Sequence, residues 1–266
     1  MLPPKSGAIP IASFCVEEGR WTARGREDAK SFSTASAAVP SREIKLAMKA
    51  PMPAAAPPDR RNSDPSQARV SDAIAAETGA RQQQVWENVR KTQTKLTGSL
   101  GASVKSAQSA SSLQLALENE KLMDVQKLYL NALKAAGERG DDIVGFIFAV
   151  NGELNSADVY PSNGLFRKMW TKLLTASVIE AIGHKVYTRA GQRPDPGDEA
   201  AVAAPAVEAV TAFLAAAEAG KASEKSLTAG VRLETREADK AYLFETARAA
   251  SPSAPASWVH RNYLAK

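Results

Sequence analysis

The chain predicts an α+β fold, an antiparallel sheet with helices packed on one face. Three observations carry this. Short apolar or alternating runs come in hairpin-like pairs, an Asn151-Gly152 step joins one pair, and the helical stretches stand in blocks between them. The order strand, helices, hairpin, helix, helix, hairpin does not alternate as a doubly wound parallel sheet would. The 266 residues read as one domain, 1–266, with 33–72 a mobile low-complexity loop and 98–112 a second flexible loop.

Taken in order, residues 7–16 read as a first strand, with Ile9, Ile11, Ser13 and Cys15 alternating with their neighbours until Gly19 breaks it. From Ser33 to Pro58, 16 of 26 residues are Ala, Pro or Ser, too little to bury; "REIKLAMK" within the stretch fits one short strand or a turn of helix. Residues 80–97 form a helix candidate with Val85, Trp86, Val89 and Leu96 near one face and Gly98 as its stop. In "LENEKLMDVQKLYLNALKA", Leu117, Leu122, Val125, Leu128, Ala132 and Leu133 recur at helical spacing, which predicts an amphipathic helix. Ile143 to Val150 is an apolar run too short for a helix and rich in strand formers, so a central strand follows, then the Asn151-Gly152 turn and a return strand through "SADVY".

Ser162 or Asn163 can cap the next helix, whose buried side holds Phe166, Met169, Trp170, Leu173, Ser177 and Ile182. Pro205 suits a first turn, so another helix is placed from Ala204 to Gly220 with Val207, Val210, Leu214 and Ala217 inward. "LTAGVRLETRE" and "AYLFETARA" read as paired strands, and "SWVHRNYL" as an added edge strand.

Charge and composition exclude several classes. Lys and Arg outnumber Asp and Glu by 34 to 29, giving +5 and a pI near 9.3, but the excess is spread along the chain. No basic block is interleaved with aromatics, so a nucleic-acid partner is disfavoured and weak attraction to anions remains. One cysteine excludes an internal disulfide and fits a reducing compartment. The start carries one lysine and only a broken apolar run, and no eighteen consecutive apolar residues occur, so a cytoplasmic chain without a membrane partner is expected.

The densest chemistry is "FCVEEGRW", Phe14 to Trp21. Negative neighbours raise a thiol pKa, so Cys15 is poorly placed as a nucleophile. On a strand, Cys15 and Glu17 take one face and Val16 and Glu18 the other, which turns one carboxylate toward the protein or a cleft. Arg20 can pair with a carboxylate, and Trp21 can stack over a flat ligand. The plainer reading is a strand end with a buried thiol, a sealing indole and solvated charges. In "RQQQVWENV", Gln82 and Trp86 lie one turn apart with Gln84 nearby, a set able to hold a base or sugar or simply to cover a core. Asn151 is explained by turn chemistry alone.

The two histidines, His184 and His260, lie in no CxxC, HxxxH or HExxH spacing, so no metal is expected. GxSxG, GxGxxG and GxxxxGK[ST] are absent, and no cofactor is expected.

"LPPKSGAIPIASFCVEEGRW", "QQQVWENV", "GFIFAVNGELNSADVYPSNGLFRKMWTKLLTASVIEAI" and "WVHRNYL", in that order, resemble the bacterial domain named for its association with ADP-ribosylglycohydrolases and rhodanese-phosphatases. Cys15, Glu17, Gly19, Arg20, Trp21, Gln84, Trp86, Asn151 and Gly152 match its motif words. The resemblance implies a contextual link to NAD and ADP-ribose metabolism and no established reaction. It also implies strand-forming sequence upstream of Leu2, whose lack would leave a sheet edge open to a partner protein.

The expected function is therefore binding of a small anionic metabolite of nucleotide or ADP-ribose type. Cys15, Arg20, Trp21, Gln84, Trp86 and Asn151 are its candidate ligand-binding residues. The rival readings are a metal-independent hydrolase with Glu17 or Glu18 as catalytic base, and a non-catalytic protein-interaction module.

Overall fold

A computed structural model describes residues 14–19, 38–50, 68–184, 203–228, 230–248 and 257–266, with backbone alone at 68–77 and 225–228. Its helices are α1 (Arg42–Lys49), α2 (Ala68–Leu100), α3 (Leu113–Leu117), α4 (Glu120–Leu133), α5 (Asn163–Gly183) and α6 (Val207–Glu218). Its strands are β1 (Gly145–Val150), β2 (Glu153–Val159), β3 (Lys221–Thr228), β4 (Val231–Glu237), β5 (Ala241–Arg248) and β6 (Ser257–Ala265). The strands form one antiparallel sheet in the order β1-β2-β6-β5-β4-β3. This is the α+β class that the element order predicts.

The local signals explain most of these elements. Asn151 and Gly152 both take positive φ, 51° and 79°, and close the β1–β2 hairpin. Ser162 accepts from the Leu165 amide and starts α5, and Asn119 does the same for α4 through Leu122. Phe166, Trp170, Leu173 and Ile182 of α5 are buried with Leu96 and Leu122, and Phe146 of β1 meets Trp170 edge to face at 5.5 Å.

Register sorts the two faces of the sheet. Phe146, Asp158, Asn262 and Phe244 are cross-strand partners and share one face, which α5 and α1 cover with α2 and α4 behind them. Ala157, Tyr263 and Leu243 share the other, where Phe213, Leu214 and Ala217 of α6 pack. The expected single helical face is thus the face of α1–α5, and α6 backs the sheet from behind.

Several boundaries differ from expectation. α2 runs through Gly98 to Leu100, so that glycine does not stop it. α6 starts at Val207, whose side chain is exposed rather than inward. β3, a polar strand, was not expected. β6 is no edge strand: it lies between β2 and β5, and β1 and β3 are the outer strands. "REIKLAMK" is the helix α1, capped by Ser41, whose hydroxyl accepts from the Ile44 amide. In 98–112, Val104 and Ser112 are buried.

Phe14 to Gly19 is not a strand. The backbone bends from Val16 and turns at Gly19 with φ 75°, and Phe14 and Val16 pack on Ile44, Val85, Val89 and Leu113. The strand expected over residues 7–13 lies outside the described residues.

Candidate functional site

Arg20 and Trp21 also lie outside the described residues, and the rest of the opening octet is a strap sewn onto α2. The Gln82 side-chain amide accepts from the Cys15 N–H at 2.9 Å and donates to the Cys15 carbonyl at 2.7 Å, imitating a strand pair. The Leu113 amide donates to the Val16 carbonyl, and the Ser111 hydroxyl to the Glu18 carbonyl. Glu18 pairs with Arg90 at 2.7 Å, half exposed, where an ion pair contributes about 0–1 kcal/mol. Glu17 is buried at 6% exposure, and Cys15 is exposed with its thiol donating to the Glu17 carbonyl. Gln84 is exposed; Trp86 is half-buried, its Nε1 without a partner. Asn151 sits in the hairpin turn and reaches the His184 carbonyl at 3.5 Å.

The concentration of buried polar chemistry lies elsewhere, where α1 crosses the sheet. α1 exists because Ser41 caps it, Glu43 complements its positive end, and Arg81 donates to the Ala47 and Ala50 carbonyls at its other end. Ile44 and Ala47 turn into the core, which leaves Lys45 and Lys49 over the polar face of the sheet. There β2 and β6 pair Asp158 with Asn262, and His260 is the next residue of β6 on that face.

Distances in this group are short. His260 Nε2 lies 2.7 Å from Asp158 Oδ1, and Asn262 Nδ2 donates to the same oxygen at 3.1 Å. Lys49 Nζ donates to Asn262 Oδ1 at 2.9 Å and stands 5.4 Å from the centre of the Phe244 ring. Tyr160 stacks on the His260 imidazole at 4.7 Å. The His260 Nδ1 has no hydrogen-bond partner among the described residues.

Electrostatics follow the geometry. Burial opposes ionisation of Asp158, but its hydrogen bond from His260 and the charges of His260, Lys45 and Lys49 outweigh burial and hold the carboxyl below its ordinary value. Lys49 is an exposed residue whose ammonium is held by Asn262 and the Phe244 ring; burial, helped by Lys45 and opposed by Asp158, lowers it to about 8. Burial and Asp158 push Tyr160 well above the ordinary phenol value, so it stays a neutral hydroxyl.

A second cluster lies at the other end of α1. Glu43, Glu180 and His184 bring three ligand-type atoms within 4.8 Å of one another. Burial raises Glu43, but its own backbone N–H, Ser41 and Lys95 prevail and set it at about 2. Asn155 reaches Glu180 because the β1–β2 register skips it between Ser156 opposite Phe148 and Leu154 opposite Ala149, a bulge that re-aims the side chain.

The sequence offers His184 and His260 only as isolated histidines outside any metal-ligand spacing and brings neither cluster together. The Ser41 cap, acidic first turn and basic last turn of "SREIKLAMK" could have marked α1. The Asp158–Asn262 pairing could not be found without the strand order.

An antiparallel sheet with a buried aspartate and asparagine, joined by a half-buried imidazole and an exposed lysine under a short helix, defines an α+β protein with a polar cluster on one sheet face. The chain belongs to the family described as the ARG and Rhodanese-Phosphatase-superfamily-associated Protein domain, whose family model matches residues 1–264. No curated protein and no solved structure matches the chain. No helix among the described residues is long and apolar enough to cross a membrane.

Proposed function

We propose that the protein binds a small anionic metabolite, of nucleotide or ADP-ribose type, at the polar cluster beneath α1. The observation that supports it is Lys49: a solvent-accessible lysine whose ammonium is poorly hydrated, fixed by Asn262, and flanked by Lys45 and His260. An ammonium short of water gains most from an anion that replaces the missing solvation. Asp158 keeps the cations assembled without presenting its own charge, since it is 4% exposed. The family's association with ADP-ribosylglycohydrolases makes ADP-ribose the first ligand to try. Cys15, Arg20, Trp21, Gln84, Trp86 and Asn151 remain candidates for contacts to the rest of such a ligand.

Calorimetric titration with ADP-ribose, AMP and inorganic phosphate tests the reading. Binding that weakens at least tenfold in Lys49→Met, with the fold intact by circular dichroism, supports it; equal binding by both chains counts against this cluster.

A second reading, hydrolysis, draws on one observation: Asp158 orients the His260 ring through Nε2 and leaves Nδ1 without a partner, an arrangement suited to general base catalysis. Glu17 or Glu18 is the alternative base. Turnover of ADP-ribosylated substrates, lost in His260→Gln and kept in Glu17→Gln, would select the imidazole.

A further inference from the structure

We propose that Glu43 and Glu180 carboxylates and the His184 imidazole, with Asn155 beside them, form a site for a divalent transition-metal ion of zinc or manganese type. It is separate from the Lys49 cluster and does not depend on it.

The donor set is the first argument. One imidazole nitrogen and two carboxylates suit zinc or manganese, and their donor atoms already lie within 4.8 Å of one another. Glu180 and His184 stand one turn apart on α5, and Glu43 comes from α1. Donors about 2.1 Å from one ion sit roughly 3–3.5 Å apart, so closure asks for a movement of about an ångström. His184 caps α5 with its side chain 28% exposed, so solvent reaches this edge of the cluster.

Independently of composition, the hydrogen bonds to the buried groups are long. Glu180 is 6% exposed, yet all its contacts fall on Oε1 and all are long: His184 Nε2 at 3.3 Å, the Arg42 amide at 3.4 Å and Asn155 Nδ2 at 3.5 Å. Its Oε2 accepts no hydrogen bond among the described residues. Charge-assisted bonds to a buried carboxylate usually measure about 2.7–2.9 Å. Asn155, 5% exposed, makes no hydrogen bond besides that 3.5 Å approach, and it points into the cluster. Lys95 Nζ, 3.0 Å from Glu43 Oε1, answers one of the two negative charges and leaves the other. With an ion bound, this ammonium keeps to the outer side of Glu43.

No HxxxH, HExxH or CxxC spacing marks this set, because its third ligand is 137 positions from Glu180 (180 less 43).

The full chain, stripped with chelator and dialysed, is titrated calorimetrically with zinc chloride and manganese chloride. The expected result is one ion per chain and a raised melting temperature, with affinity at least tenfold weaker in His184→Gln and Glu180→Gln and unchanged in His260→Gln. His184 is partly exposed, so His184→Gln stays interpretable where Glu180→Gln fails to fold. Absence of heat and of any melting shift with both ions, or binding that His184→Gln does not weaken, overturns the proposal. Either outcome leaves the anion titration of Lys49 to be decided by itself.

Discussion

Asp158→Asn removes one buried charge while keeping the side chain's shape, and its cost can be worked from the contacts. The wild-type carboxylate holds His260 at 2.7 Å and Asn262 at 3.1 Å and faces the Lys45 and Lys49 ammonium groups. Each hydrogen bond to a charged group contributes about 1.5–3 kcal/mol, and neutral ones are about half as strong. The variant also leaves Lys49 without its facing anion. Together these give a loss of about 3 kcal/mol, the lower end for breaking a buried ion pair. In a domain of this size that lowers the melting temperature by about 6–12 °C. The sign with pH is set by the direction of the shift. The folded-state value lies below the ordinary 3.8, so the contribution is fully present above that value and is lost as pH falls through the folded value. Thermal unfolding by circular dichroism at pH 7 and at steps down to pH 2.5 measures both. A gap between wild type and variant below about 2 °C at neutral pH, or one that stays constant on acidification, refutes the reasoning.

Lys49→Met separates stability from binding: the folded lysine titrates at about 8 against 10.5 when unfolded, so wild-type stability rises with pH between those values, and the variant should melt higher at pH 7 and lack that rise. Melts at pH 7 and 9.5 check this; an unchanged slope contradicts it. Gly137→Ala should cost about 1–3 kcal/mol by overpacking, because the new methyl meets the indole of Trp170, whose Nε1 is held by the Lys134 carbonyl. Urea unfolding reads this, and a change below about 0.5 kcal/mol would contradict it. Gln82→Ala removes both bonds to the Cys15 backbone and should speed proteolytic cleavage near Phe14–Gly19, with cleavage at the wild-type rate as the opposing result.

The sheet was legible where local chemistry decides the outcome. Asn151-Gly152 fixes a hairpin because both residues accept positive φ, and Ser162 fixes a helix start because its hydroxyl reaches the Leu165 amide. Position within the sheet was not legible. Nothing local to "SWVHRNYL" says that it pairs with β2 on one side and β5 on the other, and that pairing alone puts Asn262 opposite Asp158. α1 was legible only as one of two alternatives, a short strand or a turn of helix, because its Ala- and Pro-rich surroundings mask the helix signal of Ser41 and the Ile44–Ala47 spacing. The opening octet drew the eye because its residue types are reactive. In the folded chain, Gln82, Ser111 and Arg90 bind its backbone and Glu18, as they would in a structural strap. The acid–imidazole–ammonium group instead draws single residues from α1, β2 and β6, a composition with no spacing to read.

The most direct measurement is the Lys49 amine signal followed by NMR against pH, with and without inorganic phosphate, in protein carrying isotope-labelled lysine. Burial of the Lys49 ammonium predicts titration near 8 in the free protein, and bound phosphate moves it to higher pH. A signal that titrates near 10.5 and ignores phosphate contradicts it.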